Sequence, residues 1–119
     1  MSAEFDAETL AQYTGVGDTP IYISVKGTVF DVTSGRDFYG PGKSYNVFAG
    51  KEASRCLGKM EINDNEANCS WRNLSEEHMN TLNDWEAKYR SKYPAVGVLF
   101  LFLELLVQFR DTLLDVETF

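Results

Sequence analysis

Residues 20–33 read PIYISVKGTVFDVT, two short runs rich in β-branched and aromatic residues on either side of Lys26-Gly27. Such residues favour extended backbone, because their side chains pack well on a pleated surface. A two-residue connection that contains glycine is typical of a tight hairpin. The stretch therefore predicts a β-hairpin.

Two helices are predicted at a distance from the hairpin. Before it, Asp6 is placed to cap a short helix that ends at Thr14-Gly15. After it, Ser75 is placed to cap the longest helix, which has acidic residues in its first turn and runs toward Tyr93-Pro94. Strands and helices in this order predict a mixed α and β fold.

The middle of the chain has a weaker helical pattern. The spacing of apolar residues between Tyr45 and Met60 is helical, but Gly50 interrupts it, which indicates two short helices. Residues 61–70 are polar and contain Asn63-Asp64-Asn65, so they predict an exposed loop.

The composition predicts one small globular domain and limits the classes of partner that it is expected to bind. The chain has 119 residues, 44% of them hydrophobic, and a net charge of −7. Such a charge repels phosphate backbones, so no nucleic acid partner is expected and a basic protein surface is favoured. The acidic N-terminal segment lacks the apolar core of a secretory signal, so we expect a cytoplasmic protein. In that compartment Cys56 and Cys69 are expected to be reduced.

No catalytic motif is visible in the sequence. The single histidine, His78, lies among polar residues near a helix start, where a solvated surface histidine is the favoured interpretation. No glycine-rich phosphate loop is present, and the acidic pair Glu76 and Glu77 is explained by the helix dipole. Binding is therefore favoured over enzymatic activity.

The order of several linked motifs resembles the membrane-associated progesterone receptor family, a branch of the cytochrome b5-like haem/steroid-binding domain. The likeness is strongest to short plant-type steroid-binding members without an N-terminal anchor. It implies an α+β fold in which a small mixed sheet and short helices bracket a pocket. The motifs that carry the resemblance are FDAETL at 5–10, the hairpin, GRDFYGPG at 35–42, YNVFAGKEASR at 45–55, LNDWE at 82–86 and KYPAVG at 92–97.

The resemblance also implies a binding site. By this resemblance ferric haem b would be held by the phenolate of Tyr45, which matches the tyrosine ligand of the family; the one histidine of the chain cannot provide the histidine pair of ordinary cytochrome b5. Tyr39 matches an accessory tyrosine and is expected to donate a hydrogen bond to the ligand oxygen. Lys92 and Tyr93 match a pair on the opposite wall, where Lys92 would pair with a haem propionate. A steroid is the rival ligand for the same pocket.

Family likeness implies partners as well. The expected protein partners are haem-thiolate monooxygenases of sterol metabolism. The family also implies a homodimer that forms when haem is bound, and peripheral attachment at the endoplasmic reticulum or other endomembranes. An alternative function is electron donation to an oxidase, a desaturase or a haem-thiolate monooxygenase, with the acidic surface docking a basic partner. A third alternative is a scaffold that has kept the fold and lost the ligand.

The resemblance ends at Gly97, which divides the chain into a domain at 1–97 and a tail at 98–119. The tail predicts an apolar helix, and charged residues interrupt it too often for a membrane-spanning segment. Packing on the domain, self-association, an interfacial helix and a tail not selected to fold all stay open, and truncation after Gly97 is expected to leave a folded domain. The polar residues that draw one narrow stripe on this helix are Glu104, Gln108, Asp111, Asp115 and Thr118.

Overall fold

The computed structural model describes residues 3–100, and these form a four-stranded sheet with four α-helices. The strands are β1 (Ala3–Phe5), β2 (Tyr22–Val25), β3 (Thr28–Asp31) and β4 (Ala95–Leu99), and their order in the sheet is β1-β4-β3-β2. The helices are α1 (Ala7–Leu10), α2 (Arg36–Tyr39), α3 (Ser54–Lys59) and α4 (Glu76–Lys92). Single turns of 3-10 helix lie at Val16–Asp18, Thr33–Gly35 and Asn46–Phe48.

The predicted hairpin is confirmed. Strands β2 and β3 pair antiparallel, with Val25 opposite Thr28 at the turn. The two turn residues, Lys26 and Gly27, have φ values of 51° and 80°. Both values lie in the left-handed region, and a two-residue turn of this kind has the twist that antiparallel strands require. Glycine carries no steric penalty there, which explains its place in the turn.

The N-terminal caps of two helices are also confirmed. The side chain of Asp6 accepts a hydrogen bond from the Thr9 amide at 2.7 Å, and that of Ser75 accepts one from the His78 amide at 3.1 Å. Each bond satisfies an amide that has no partner within its own helix. The interruption near Gly50 is confirmed too, because a 3-10 turn ends at residue 48 and α3 begins only at residue 54.

Two hydrophobic clusters lie on opposite faces of the sheet. The larger one joins strand residues such as Ile23 and Phe30, which face each other across the hairpin, to helices α3 and α4. The smaller one joins Val29 of β3 to Leu10 of α1 and to the strands β1 and β4. Alternating residues of β3 therefore supply both clusters, as the two-residue period of a strand requires.

A buried carboxylate ties the hairpin to α3. Glu52 is only 1% exposed. Its Oε2 accepts hydrogen bonds from the Ser24 hydroxyl at 2.6 Å and the Gly27 amide at 3.1 Å, and its Oε1 accepts one from the Ser54 amide at 2.7 Å. Its backbone exchanges two further bonds of 2.8 Å with Asn68 in the long loop. Burial raises the pKa of this carboxyl above its ordinary value.

The end of the sheet lies beyond the predicted division after Gly97. Strand β4 continues to Leu99, whose side chain is buried and whose amide donates to the Gly27 carbonyl at 2.8 Å. The amide of Phe100 donates to the carbonyl of Phe5 at 2.8 Å. We therefore propose a domain boundary after Phe100. The rest of the tail, with its predicted apolar helix, lies outside the described residues.

Within residues 3–100 no helix has both the length and the apolar character needed to cross a membrane. The loop at residues 61–70 is largely exposed, as its composition predicts. The two cysteines of the chain are free thiols, with Cys56 buried and Cys69 exposed.

The domain boundary is testable by two truncations. A chain that ends at Phe100 should unfold cooperatively at nearly the temperature of the full chain. A chain that ends at Gly97 should lose about 2–4 kcal/mol of unfolding free energy, because it lacks the buried Leu99 side chain and two backbone hydrogen bonds. Circular dichroism melts would measure both, and equal stability of the two truncated chains would contradict the boundary.

The pH dependence of stability tests the Glu52 carboxylate. A raised pKa in the folded state means that this group favours folding below its unfolded pKa and that this contribution is lost as pH rises through the folded pKa. Glu52→Gln keeps the side chain neutral at every pH. Its loss of unfolding free energy relative to the unsubstituted chain should therefore shrink as pH rises from 4 to 8.

Urea unfolding at several pH values would measure this difference, with the exposed Glu8→Gln as the control for removal of one charge. If the deficit of Glu52→Gln instead grew with pH, the carboxyl would be stabilised in its charged form and the assigned direction of its pKa would be wrong.

Candidate functional site

One cleft with a volume of about 340 Å³ opens on the side of the sheet that carries α3 and α4. Its walls come from α2, the 3-10 turn at 46–48, α3, the loop that follows α3, and the end of α4. Most of the lining is apolar and aromatic, which suits a flat hydrophobic ligand. The apolar wall includes Phe38, Phe48, Leu57, Met60, Ile62 and Trp85.

All four residues of the predicted site line this cleft. Tyr39 ends α2, Tyr45 precedes the 3-10 turn, Lys92 ends α4 and Tyr93 follows it. The ring of Tyr39 is central, with its centroid 6.2 Å from that of Tyr45 and 6.4 Å from that of Tyr93. Residues from distant parts of the chain are therefore brought together, while their roles in binding stay predictions.

The loop between Tyr39 and Tyr45 is tightly folded. Gly42 has a φ of 78°, and the Tyr45 amide donates to the Phe38 carbonyl at 2.9 Å. A positive φ is easily adopted by glycine, so the chain reverses direction there and places the second tyrosine beside the first. The glycines and proline of this loop thus position side chains at the cleft.

The hydroxyl of Tyr39 has a partner that sequence reasoning missed. It lies 2.8 Å from the hydroxyl of Tyr89, and both side chains are buried. This differs from the expectation that Tyr39 donates to the oxygen of Tyr45. Tyr89 precedes Tyr93 by one turn of α4, with their ring centroids 5.5 Å apart, so the four-residue spacing was the available signal.

Burial keeps the inner tyrosines neutral. It raises the pKa of Tyr89 well above its ordinary value, and it also raises the pKa values of Tyr39 and Tyr93. A neutral phenol both donates and accepts hydrogen bonds, so the Tyr39–Tyr89 pair can form in either direction. These residues therefore supply a polar, uncharged floor to an apolar cleft.

Tyr45 is the exception among the cleft tyrosines. Its side chain is 39% exposed, against 9% for Tyr39. Its ring stacks on Phe48 with centroids 6.1 Å apart and planes 18° apart, which fixes the ring from one side. Among residues 3–100 the hydroxyls of Tyr45 and Tyr93 form no hydrogen bond, and Tyr45 is the more exposed of the two, so its phenol is the more accessible to a ligand atom from outside.

Other potential ligand atoms are poorly placed for a metal. In the described part of the chain, no group of three or more His, Cys, Asp or Glu side chains is arranged to hold a metal ion. His78 lies in the first turn of α4 and outside the cleft lining. Cys56 does line the cleft, but burial raises the pKa of its thiol, which donates to the Asn63 carbonyl at 3.3 Å.

Comparison with known proteins identifies the domain. The family profile described as "Cytochrome b5-like Heme/Steroid binding domain" matches residues 6–100. The chain belongs to this cytochrome b5-like family. The resemblance predicted from the motifs is thereby confirmed, and so is the α+β fold with its mixed sheet.

Relatives within the cytochrome b5-like family are named for steroid binding. "Probable steroid-binding protein 3" of Arabidopsis thaliana is 55% identical over 95 residues, which are 79% of this chain and 95% of that protein. "Membrane-associated progesterone receptor component 2" of Rattus norvegicus is 40% identical over 81% of this chain but only 46% of its own length. A solved Arabidopsis thaliana protein described as having a cytochrome b5 like fold superposes with a TM-score of 0.76. Its identity is 52%, over 82% of this chain and 91% of that one.

The hydroxyl pair in the floor of the cleft can be tested by a double-mutant cycle. Tyr39→Phe and Tyr89→Phe should each reduce the unfolding free energy by about 1 kcal/mol, because each leaves the other hydroxyl without its partner. The double variant should cost less than the sum of the two, because no unpaired hydroxyl is left behind. Urea unfolding measures the cycle, with Tyr13→Phe as the control outside the cleft. Strictly additive losses would contradict the pairing.

Proposed function

We propose that this chain is a non-catalytic protein that binds haem or a steroid in the cleft, with Tyr45 as the iron ligand when haem is bound. The proposal depends on the position of Tyr45, which lines an apolar cleft. Its hydroxyl forms no hydrogen bond with any residue in the range 3–100. The cytochrome b5-like family to which the chain belongs supplies the two ligand classes.

The donor set at the cleft fits haem held through oxygen. A chain with one histidine cannot bind iron between two, and the family resemblance assigns the ligand to Tyr45. A bound haem supplies a ferric iron, and tyrosine is a known axial ligand of such iron. A phenol titrates near pH ~10 in water, so the positive charge of the metal has to favour the phenolate at neutral pH.

The other predicted residues have separate tasks in this proposal. Among residues 3–100, Lys92 carries the only cationic group that lines this cleft, and it is available to an acidic substituent of the ligand. Tyr39 and Tyr93 give two aromatic faces that exclude water from a flat ring system. Burial disfavours the phenolate forms of Tyr39, Tyr89 and Tyr93, which favours the more exposed Tyr45 as the metal ligand.

A steroid fits the same cleft for the same reasons. Its rings need apolar walls and a few polar anchors, and a lining rich in aromatic and aliphatic side chains provides both. Haem and steroid are therefore proposed to compete for one site. The names of the relatives favour the steroid, and the absence of a histidine pair does not exclude tyrosine-held haem.

Electron donation is the less favoured function. An anionic oxygen ligand stabilises ferric iron and lowers its reduction potential, which suits steady binding or delivery better than rapid electron transfer. Regulation of haem-thiolate monooxygenases and attachment to endomembranes stay predictions from the family. A haem-dependent homodimer also stays a prediction, which the exposed rim residues Phe38, Met60 and Ile62 support.

Titration with hemin tests the iron ligand. Purified protein should give a high-spin ferric spectrum with a phenolate-to-iron charge-transfer band. Tyr45→Phe should remove that band and weaken binding at least tenfold, because it deletes the metal ligand, whereas Tyr39→Phe should change affinity much less.

The matched control is Tyr13→Phe, which removes a phenol on the opposite side of the sheet. A Tyr45→Phe variant with an unchanged spectrum and affinity would show that another group holds the iron. Displacement of hemin by progesterone would show that the two ligands share the cleft, and simultaneous binding would contradict a shared site.

A further inference from the structure

A second cleft of about 250 Å³ adjoins the first along the last turns of α4. The residues that line both clefts are Tyr39, Trp85, Lys92 and Tyr93. Lys88, Tyr89 and Ser91 line only the second. A ligand whose ring system fills the larger cleft can therefore reach the second with a short substituent.

The second cleft carries two ammonium groups. Lys88 and Lys92 are one helical turn apart, so they project from the same side of α4. Neither forms an ion pair with a carboxylate of residues 3–100. The Lys88 ammonium lies 4.9 Å from the centroid of the Trp85 ring, and that of Lys92 lies 5.8 Å from the centroid of the Tyr93 ring.

The neighbouring cation of α4 behaves differently. Arg90 lies 3.5 Å from the Glu86 carboxylate and donates to the Thr28 hydroxyl at 3.3 Å. Its positive charge is therefore paired with Glu86, and its guanidinium contacts the hairpin. It lines neither cleft. The two unpaired lysines are therefore a local feature of the second cleft in a chain whose net charge is −7.

Two like charges four residues apart destabilise a helix, and a bound anion relieves that repulsion. In the larger cleft, the charge of Glu61 is balanced by Lys59, which lies 3.8 Å away. An acidic group on a ligand is therefore attracted to Lys88 and Lys92, whose charges no carboxylate of residues 3–100 balances. Positive charge is thus concentrated where the second cleft adjoins the first.

We propose that the second cleft is a subsite for an acidic substituent, a carboxylate or a sulfate, on the ring system that occupies the larger cleft. Lys88 is the residue that distinguishes this subsite, because it lines the second cleft alone. The inference rests on the proposed function and deepens it. The ligand class it selects is an anionic amphiphile, such as a sulfated steroid or a porphyrin with free carboxylates, over the neutral counterpart.

Two ligand pairs test this in parallel, one for each source of the acidic group. The first pair is pregnenolone sulfate and pregnenolone, and the second is hemin and hemin dimethyl ester. The acidic member should bind more tightly, and its affinity should fall as NaCl is raised from 50 to 500 mM. Lys88→Gln should weaken binding of the acidic member about two- to fivefold, as expected for one exposed charge pair, and leave the neutral member unchanged.

Controls separate a local charge effect from a general one. Lys88→Arg should retain the preference for the acidic ligand, and Arg90→Gln, which removes one positive charge outside both clefts, should leave it unaltered. Intrinsic tryptophan fluorescence on the full chain reads every titration. If Arg90→Gln weakens acidic ligands as much as Lys88→Gln does, the effect belongs to net charge and the subsite is refuted.

The outcomes also distinguish this inference from the proposed function. Equal affinity for the acidic and neutral members of both pairs in the unsubstituted chain overturns the subsite and leaves the larger cleft as a binding site. Failure of all four compounds to bind overturns both. Loss of acidic preference in Lys88→Gln for either pair supports the subsite and identifies which ring system uses it.

Discussion

The buried side chain of Glu52, which forms no ion pair with any residue in the range 3–100, is the constraint on which the arrangement of this domain depends. The three donors that surround Glu52 come from β2, from the hairpin turn and from the first turn of α3. Leaving a buried polar group without its hydrogen bonds costs about 1–3 kcal/mol, so these three elements must keep their relative positions. Because α3 contributes Cys56 and Leu57 to the cleft, the same side chain also fixes one wall of the cleft.

The tyrosines at the cleft are chemically identical but differ in burial and in hydrogen bonding. Tyr39 and Tyr89 satisfy each other in the interior and add rigidity to the floor. Tyr45 lies at the rim on a stacked phenylalanine, and its hydroxyl forms no hydrogen bond within residues 3–100. The distinction depends on where the backbone places each ring, since the phenol itself is the same in all three.

Features that depend on neighbouring residues could be predicted from the sequence, whereas contacts between residues far apart in the chain could not. The hairpin and the caps at Asp6 and Ser75 depend on neighbouring residues, so the sequence contains all the information they need. The gathering of the four site residues followed from the family resemblance. The partner of Tyr39 is fifty positions away, and a buried glutamate looks in sequence like any surface acid. A three-residue strand such as β1 is too short to give a recognisable alternation.

The place of β4 in the sheet has a consequence for biosynthesis. This strand lies between β1 and β3, and its pairing with β1 joins Gly97 to Ala3. A ribosome adds residues at about 5–20 per second, so β1 waits roughly 5–20 s, and the inner edge of β3 roughly 3–14 s, for their shared neighbour. During that interval the nascent chain exposes an unpaired strand edge, which is the kind of surface that aggregates or recruits a chaperone. The insertion of β4 closes that edge, so it is the step that ends the vulnerable period of the newly made protein.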